Sequence, residues 1–163
     1  MALHDIFQAI EDTAAATAIR ESGWLFPTIE TVHVLALVSV VGAIAMLDLR
    51  LLGYQFKGSA ITAWSEKVLP WTWVAFGFAV LSGGLLFISS ATRYYINLPF
   101  QLKIGLIVLA GLNMLLFHFG EYRNVGQWDH AQAPARARVA AALSLTFWAL
   151  VVVFGRWIGF TLR

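Results

Sequence analysis

Two pairs of histidine and carboxylate residues lie inside or at the ends of apolar stretches of this 163-residue chain. Glu30 and His33 are three residues apart, and His118 and Glu121 repeat that spacing in reverse order. Residues three apart share one face of a helix. A carboxylate beside an imidazole is the usual arrangement around a metal-ligating histidine, and it is also that of a proton-sharing pair. The spacing therefore leaves metal ligation and proton sharing open.

Together with other charged residues near the ends of the apolar stretches, these four residues form two groups. The outer group is Glu30, His33, Lys103 and Arg156, and the inner group is Asp48, Arg50, His118 and Glu121. Ionisable side chains at membrane depth are costly and therefore mark candidate sites. His33 would lie about 9 Å inside the outer end of its helix, whereas His118 would lie near the inner end of a span about 30 Å thick. Because axial ligands of one haem face each other across the iron, we expect the two histidines to belong to separate sites.

The elements that position these residues follow from composition. Hydrophobic residues make up 60% of the chain and charged residues 12%, with a mean hydropathy of +0.74. A soluble domain carries about 25% charged residues, so the composition indicates a membrane protein. The chain has no cysteine, which excludes disulfides and thiolate metal sites. A net charge of +2 without a basic cluster argues against nucleic acid as a partner.

Four charge-poor stretches are long enough to cross a bilayer as helices. We predict an all-α integral membrane four-helix bundle over residues 24–163, preceded by an amphipathic surface helix within residues 1–23. The predicted spans are about 26–48, 68–92, 99–120 and 139–162.

Lysine and arginine are slightly more numerous in the loops after the first and third spans than on the opposite side. By the positive-inside rule, these loops are cytoplasmic and both termini periplasmic. We therefore expect a multi-pass protein of the bacterial cytoplasmic (inner) membrane, in contact with membrane lipids. Gly155 and Gly159 form a GxxxG pair, which either packs helices within the chain or forms a homo-oligomer contact.

Three stretches of the chain resemble known membrane families. They are "VHVLALVSVVGAIAMLDLRLL" in the first span, "LPFQLKIGLIVLAGLNMLLFH" in the third and "SLTFWALVVVFGRWIGF" in the fourth. Together they resemble the small four-helix proteins related to the copper-resistance D family and the HemJ-type oxidases. The resemblance covers about residues 24–163 and implies a haem-associated or metal-associated bundle. It matches His33 to a first-helix histidine, Lys103 to a third-helix lysine and His118 to a later histidine.

We therefore expect a b-type haem-binding membrane protein that acts in electron transfer or as a membrane subunit of a redox complex, with a membrane or periplasmic redox partner. His33 would ligate haem b, Lys103 and Arg156 would meet the propionates, and Glu30 would hold the imidazole tautomer. By resemblance, Lys103 is also a candidate for the second axial ligand. The alternative functions are a membrane transporter of copper or a small ligand, and a non-catalytic membrane subunit of a larger complex. For His33 itself, the alternative is a hydrogen bond to a neighbouring helix that stabilises packing. The sequence does not decide whether the chain is an enzyme.

Overall fold

The computed structural model describes residues 3–54 and 59–162, and all regular structure in these ranges is helical. Four helices are long and apolar enough to cross a membrane. These helices are α3 (Leu25–Leu52), α4 (Ile61–Ser89), α6 (Leu98–Phe119) and α7 (Ala135–Thr161); the shorter ones are α1 (Leu3–Glu11), α2 (Ala14–Glu21), α5 (Ala91–Tyr94) and a 3-10 segment (Glu121–Gln127). The predicted class, an all-α membrane bundle of four helices with a helical N-terminal segment, is confirmed.

All four long helices begin before the predicted spans, and α3 also ends after its span, whereas α4 ends at Ser89, three residues before its predicted end. α3 continues to Leu52 and ends at Gly53, whose φ of 81° is the left-handed conformation that glycine favours. α4 begins at Ile61 rather than near 68, so that Pro70 lies inside the helix. Proline is tolerated there because neighbouring groups in a membrane bundle can satisfy the freed backbone carbonyl. Charged residues at the ends are thus part of the helices, and the charge-free stretches alone are shorter than the corresponding helices.

Helix α3 runs alongside both α4 and α7. Helix α6 packs along α7. Helices α4 and α6 meet through side chains, among them the stacked rings of Phe87 and Phe100, whose centroids are 5.4 Å apart. Two buried clusters stabilise the bundle. One lies at mid-depth (Val40, Ala110, Trp148, Val151), and the other lies at the end that carries the α3–α4 and α6–α7 loops (Leu51, Ile61, Trp128, Ala133, Ala137, Ala141). We call this the inner end and the opposite one the outer end, as labels for the two ends of the bundle.

The N-terminal segment forms two short helices rather than one, and both are tied to the outer end of the bundle. Thr13 caps α2 by accepting a hydrogen bond from the backbone amide of Ala16. The ring of Phe7 stacks on Tyr95 at 4.5 Å. Both the amide and the hydroxyl of Thr92 donate to the carboxylate of Glu11. The amphipathic segment therefore covers the outer ends of α4 and α5.

The inner end is closed by a buried arginine. Arg50 is 3% exposed and donates from Nε and Nη2 to the carbonyl of Ser59, and from Nη2 to the carbonyl of Asp129. The carboxylate of Asp129 in turn accepts from the amide and hydroxyl of Thr62. Arg50 therefore joins the α3–α4 loop to the loop before α7.

Candidate functional site

The site begins with His33, which lies in the outer half of α3 and is half-buried against α4. Its Nδ1 atom lies 3.0 Å from the carbonyl oxygen of Ala79 and 3.1 Å from the hydroxyl of Ser82. These two α4 residues are one turn of helix apart, and both are buried. The imidazole is thus held by α4 at one of its two nitrogens.

These partners determine which ring nitrogen carries the proton. A carbonyl oxygen can only accept, so Nδ1 must donate to Ala79. The hydroxyl of Ser82 donates to the carbonyl of Phe78, which leaves its oxygen free to accept from the same Nδ1–H. The lone pair of the neutral ring is therefore on Nε2, the nitrogen that faces away from α4.

Nε2 of His33 faces Lys103. The Nζ atom of Lys103, in the second turn of α6, lies 3.4 Å from Nε2. This lysine is half-buried, and it takes part in neither of the two salt bridges formed by the described residues, Arg20–Glu11 and Arg136–Glu121. An imidazole lone pair and an amine thus meet in the outer half of the bundle without a carboxylate between them.

Two glycines make room for this pair. A Cβ atom on Gly83 of α4 would lie 2.9 Å from Cε1 and 3.3 Å from Nδ1 of His33. A Cβ atom on Gly155 of α7 would lie 3.4 Å from Nζ of Lys103. The imidazole therefore lies directly against the backbone of α4, and the lysine stem lies against that of α7. Gly155 belongs to the GxxxG pair, and here it serves packing within the chain.

Two other predicted outer residues lie outside this pair. Glu30 is exposed, and its charge acts on Tyr94 of α5. Arg156 is exposed, and its guanidinium carbon lies 4.8 Å from the ring centroid of Phe160. The hydrogen bond that fixes the tautomer of His33 is donated by its Nδ1–H to the carbonyl of Ala79, which takes the role that the sequence assigned to Glu30.

His118 lies at the opposite end of the bundle. It is exposed near the end of α6, where its ring stacks on Tyr122 with centroids 5.4 Å apart. Its predicted partner, Glu121, lies 3.9 Å from Arg136 instead. The structure thus does not bring His118 together with His33.

Asp48 and Arg50 of the inner group are both buried, at 6% and 3% exposure. The loops that contain Ser59 and Asp129 fold over the end of α3 and accept the hydrogen bonds of Arg50. The order of residues in the sequence did not show this cover. Among the residues that the structure describes, no group of three His, Cys, Asp or Glu could hold a metal ion.

Sequence reasoning missed three residues that shape the site, Ala79, Ser82 and Gly83. Two of them belong to the run "LSGG" in the second span. A serine next to a glycine within an apolar span was the available signal, since both permit a polar partner to approach the backbone. Nothing in the sequence marked Ala79, because its contribution is a backbone carbonyl.

Comparison with protein families identifies the chain at family level. Residues 12–161 match DUF6644, a family of unknown function. The chain therefore belongs to the DUF6644 family. Comparisons with curated proteins and with solved structures gave no match.

Proposed function

We propose that this member of the DUF6644 family is a b-type haem-binding membrane protein that acts in electron transfer or as a membrane subunit of a redox complex. The observation that carries the proposal is the orientation of His33. Its Nδ1–H donates to the carbonyl of Ala79, and its Nε2 lone pair faces the interior of the outer half. Metal-ligating histidines almost always donate their other ring N–H to a carbonyl, a carboxylate or water.

The surrounding residues fit an axial ligand at this position. Gly83 lets the imidazole lie against α4, and the bond to Ala79 prevents the ring from rotating. Haem would have to open the interface of α4 and α6, which side chains such as Phe87 and Phe100 close. Lys103, whose amine faces Nε2, would either withdraw or become the opposite ligand. Its four-carbon stem is flexible enough for both.

Haem b would supply a one-electron couple of iron, and the chain's own residues would supply ligation and charge. His33 would hold the iron, and the bond from Nδ1–H to a carbonyl would raise the basicity of the ligand. If Lys103 moves away from Nε2, its ammonium group and the guanidinium of Arg156 are available to carboxylates such as the haem propionates. The resemblance of the first, third and fourth spans to haem-associated membrane families supports haem as the cofactor. The DUF6644 match adds no activity of its own.

We propose that the protein lies in the bacterial cytoplasmic membrane, with both termini periplasmic. Four apolar helices support a multi-pass membrane protein. The finer assignment depends on the slight excess of lysine and arginine in the two loops expected in the cytoplasm. Two residues in that count, Lys57 and Arg163, lie outside the described residues. A redox partner would then meet the protein in the membrane or the periplasm.

The test is the visible absorption spectrum of the full chain purified from haem-supplemented cells. We expect wild type to show a Soret band, with haem and protein in a fixed ratio. His33→Ala should lose the band, because the iron would lose its imidazole ligand.

The matched control is His118→Ala, which removes an exposed histidine at the other end of the bundle. It should retain both the band and the ratio. A wild-type protein without a Soret band would refute haem binding, and loss of the band only in His118→Ala would refute the outer site.

A further inference from the structure

Asp48 is a buried carboxyl group that the proposed haem site does not use. It lies in the inner half of α3, is 6% exposed, and is next to the side chain of Ser144 in α7. Its second carboxyl oxygen, Oδ2, is fully buried and has no hydrogen-bond partner among the described residues. Asp48 is fifteen residues from His33, about 22 Å along the helix, so the two positions are independent.

Among the described residues, no cation forms a salt bridge with this carboxyl group. Arg50, two residues further on, directs its guanidinium to the carbonyls of Ser59 and Asp129. Asp48 is in neither of the two salt bridges of the described chain. The charged side chains at the inner ends of the two helices that pack against α3 are exposed: Glu66, Lys67, Arg136 and Arg138.

An unpaired carboxylate in an apolar interior is so unfavourable that the group takes up a proton instead. A metal cation would be an alternative counter-charge, but hard cations need about six oxygen ligands. Among the described residues, the oxygen ligands at this position are those of the Asp48 carboxyl group and the hydroxyl of Ser144. Ionisable residues inside membrane spans also recur in proton relays. A proton is therefore the ligand that this position fits.

We propose that Asp48 is a proton-binding site of the bundle, where the carboxylate takes up one proton and becomes a neutral acid beside Ser144. One O–H bond forms on the carboxyl group while one O–H bond of a hydronium ion breaks and leaves water. Protonation removes the charge from the group whose Oδ2 has no partner, so that burial no longer requires an ion to be desolvated. This site is separate from the haem proposal, and it remains whether or not haem binds.

The experiment is infrared spectroscopy of the full chain in lipid bilayers without added haem, from acidic to alkaline pH. A protonated carboxylic acid has a C=O stretch that a carboxylate lacks. We expect wild type to keep one such band at neutral pH, to lose it at alkaline pH, and to shift it in heavy water. Asp48→Asn should lack this band.

Two further variants make the assignment specific. Ser144→Ala should move the frequency of the band, because the hydroxyl beside the acid is lost. Asp129→Asn should leave the band unchanged, because Thr62 and the loop backbone hold that carboxylate outside the span. Absence of the band from wild type at neutral pH would overturn the proposal. A band with the same frequency in wild type and Ser144→Ala would also overturn it, even if Asp48→Asn fails to fold.

Discussion

Replacing Gly83 by alanine would place a methyl group 2.9 Å from Cε1 of His33. The imidazole cannot move away freely, because the carbonyl of Ala79 and the hydroxyl of Ser82 hold Nδ1. Either the ring leaves these partners or α3 and α4 separate. The neighbouring Gly84 is the matched control, since nothing lies within 4 Å of a Cβ atom built there.

The magnitude follows from comparing the two glycines. Alanine is favoured over glycine in a helix by about 1 kcal/mol, and this gain applies to both variants. Overpacking costs about 1–3 kcal/mol, and this cost applies to Gly83→Ala alone. The shared gain cancels, so the free energies of unfolding of the two variants should differ by about 1–3 kcal/mol.

The assay is reversible unfolding of the full chain in detergent, with the imidazole environment followed by nuclear magnetic resonance of labelled histidine. Gly83→Ala should lower stability relative to Gly84→Ala and shift the signals of His33. Equal stabilities together with an unchanged His33 spectrum would refute the close packing of the ring on α4.

Three further predictions concern the inner end and the topology. Arg50→Gln should lower the free energy of unfolding by about 2–4 kcal/mol, because buried carbonyls lose charged donors. The control Arg138→Gln, at an exposed residue, should change it by less than about 0.5 kcal/mol. Equal effects of the two variants in denaturation would contradict the role of Arg50 in joining the two loops. Burial raises the pKa of Asp129, but hydrogen bonds from Thr62 outweigh it and leave the pKa below its usual value. The stability due to this carboxylate is complete above the unfolded pKa of about 3.9 and is lost as pH falls through the lower folded pKa, so acid unfolding curves should be less steep in Asp129→Asn. Reporter fusions after residues 60 and 130 should be cytoplasmic, and an external reporter at either would contradict the predicted orientation.

The fold could be predicted from the sequence because membrane spans are determined largely by composition. Stretches without charge located four helices, since a bilayer core requires apolar side chains and internally bonded backbone. The ends of the helices were harder to predict. Residues such as Arg50 are charged yet buried, because loops distant in sequence supply the carbonyls that satisfy them.

The candidate site was predictable only in part. His33 and Lys103 were both expected in the outer group, and they meet at 3.4 Å. The partner of Nδ1 was not predictable, because the donor–acceptor pair depends on how α3 and α4 align. Glu30 was the nearest carboxylate in sequence, but it is exposed, and the backbone of α4 takes the role assigned to it.

The central claim is that Nε2 of His33 ligates haem iron, and chemical rescue tests it most directly. His33→Gly, purified with haem supplementation, would be titrated with imidazole while its absorption spectrum is recorded. We predict that imidazole restores the wild-type Soret band, because the free base replaces the missing ligand, and that His118→Gly needs no rescue. A His33→Gly protein with the full wild-type spectrum before imidazole is added would contradict the claim.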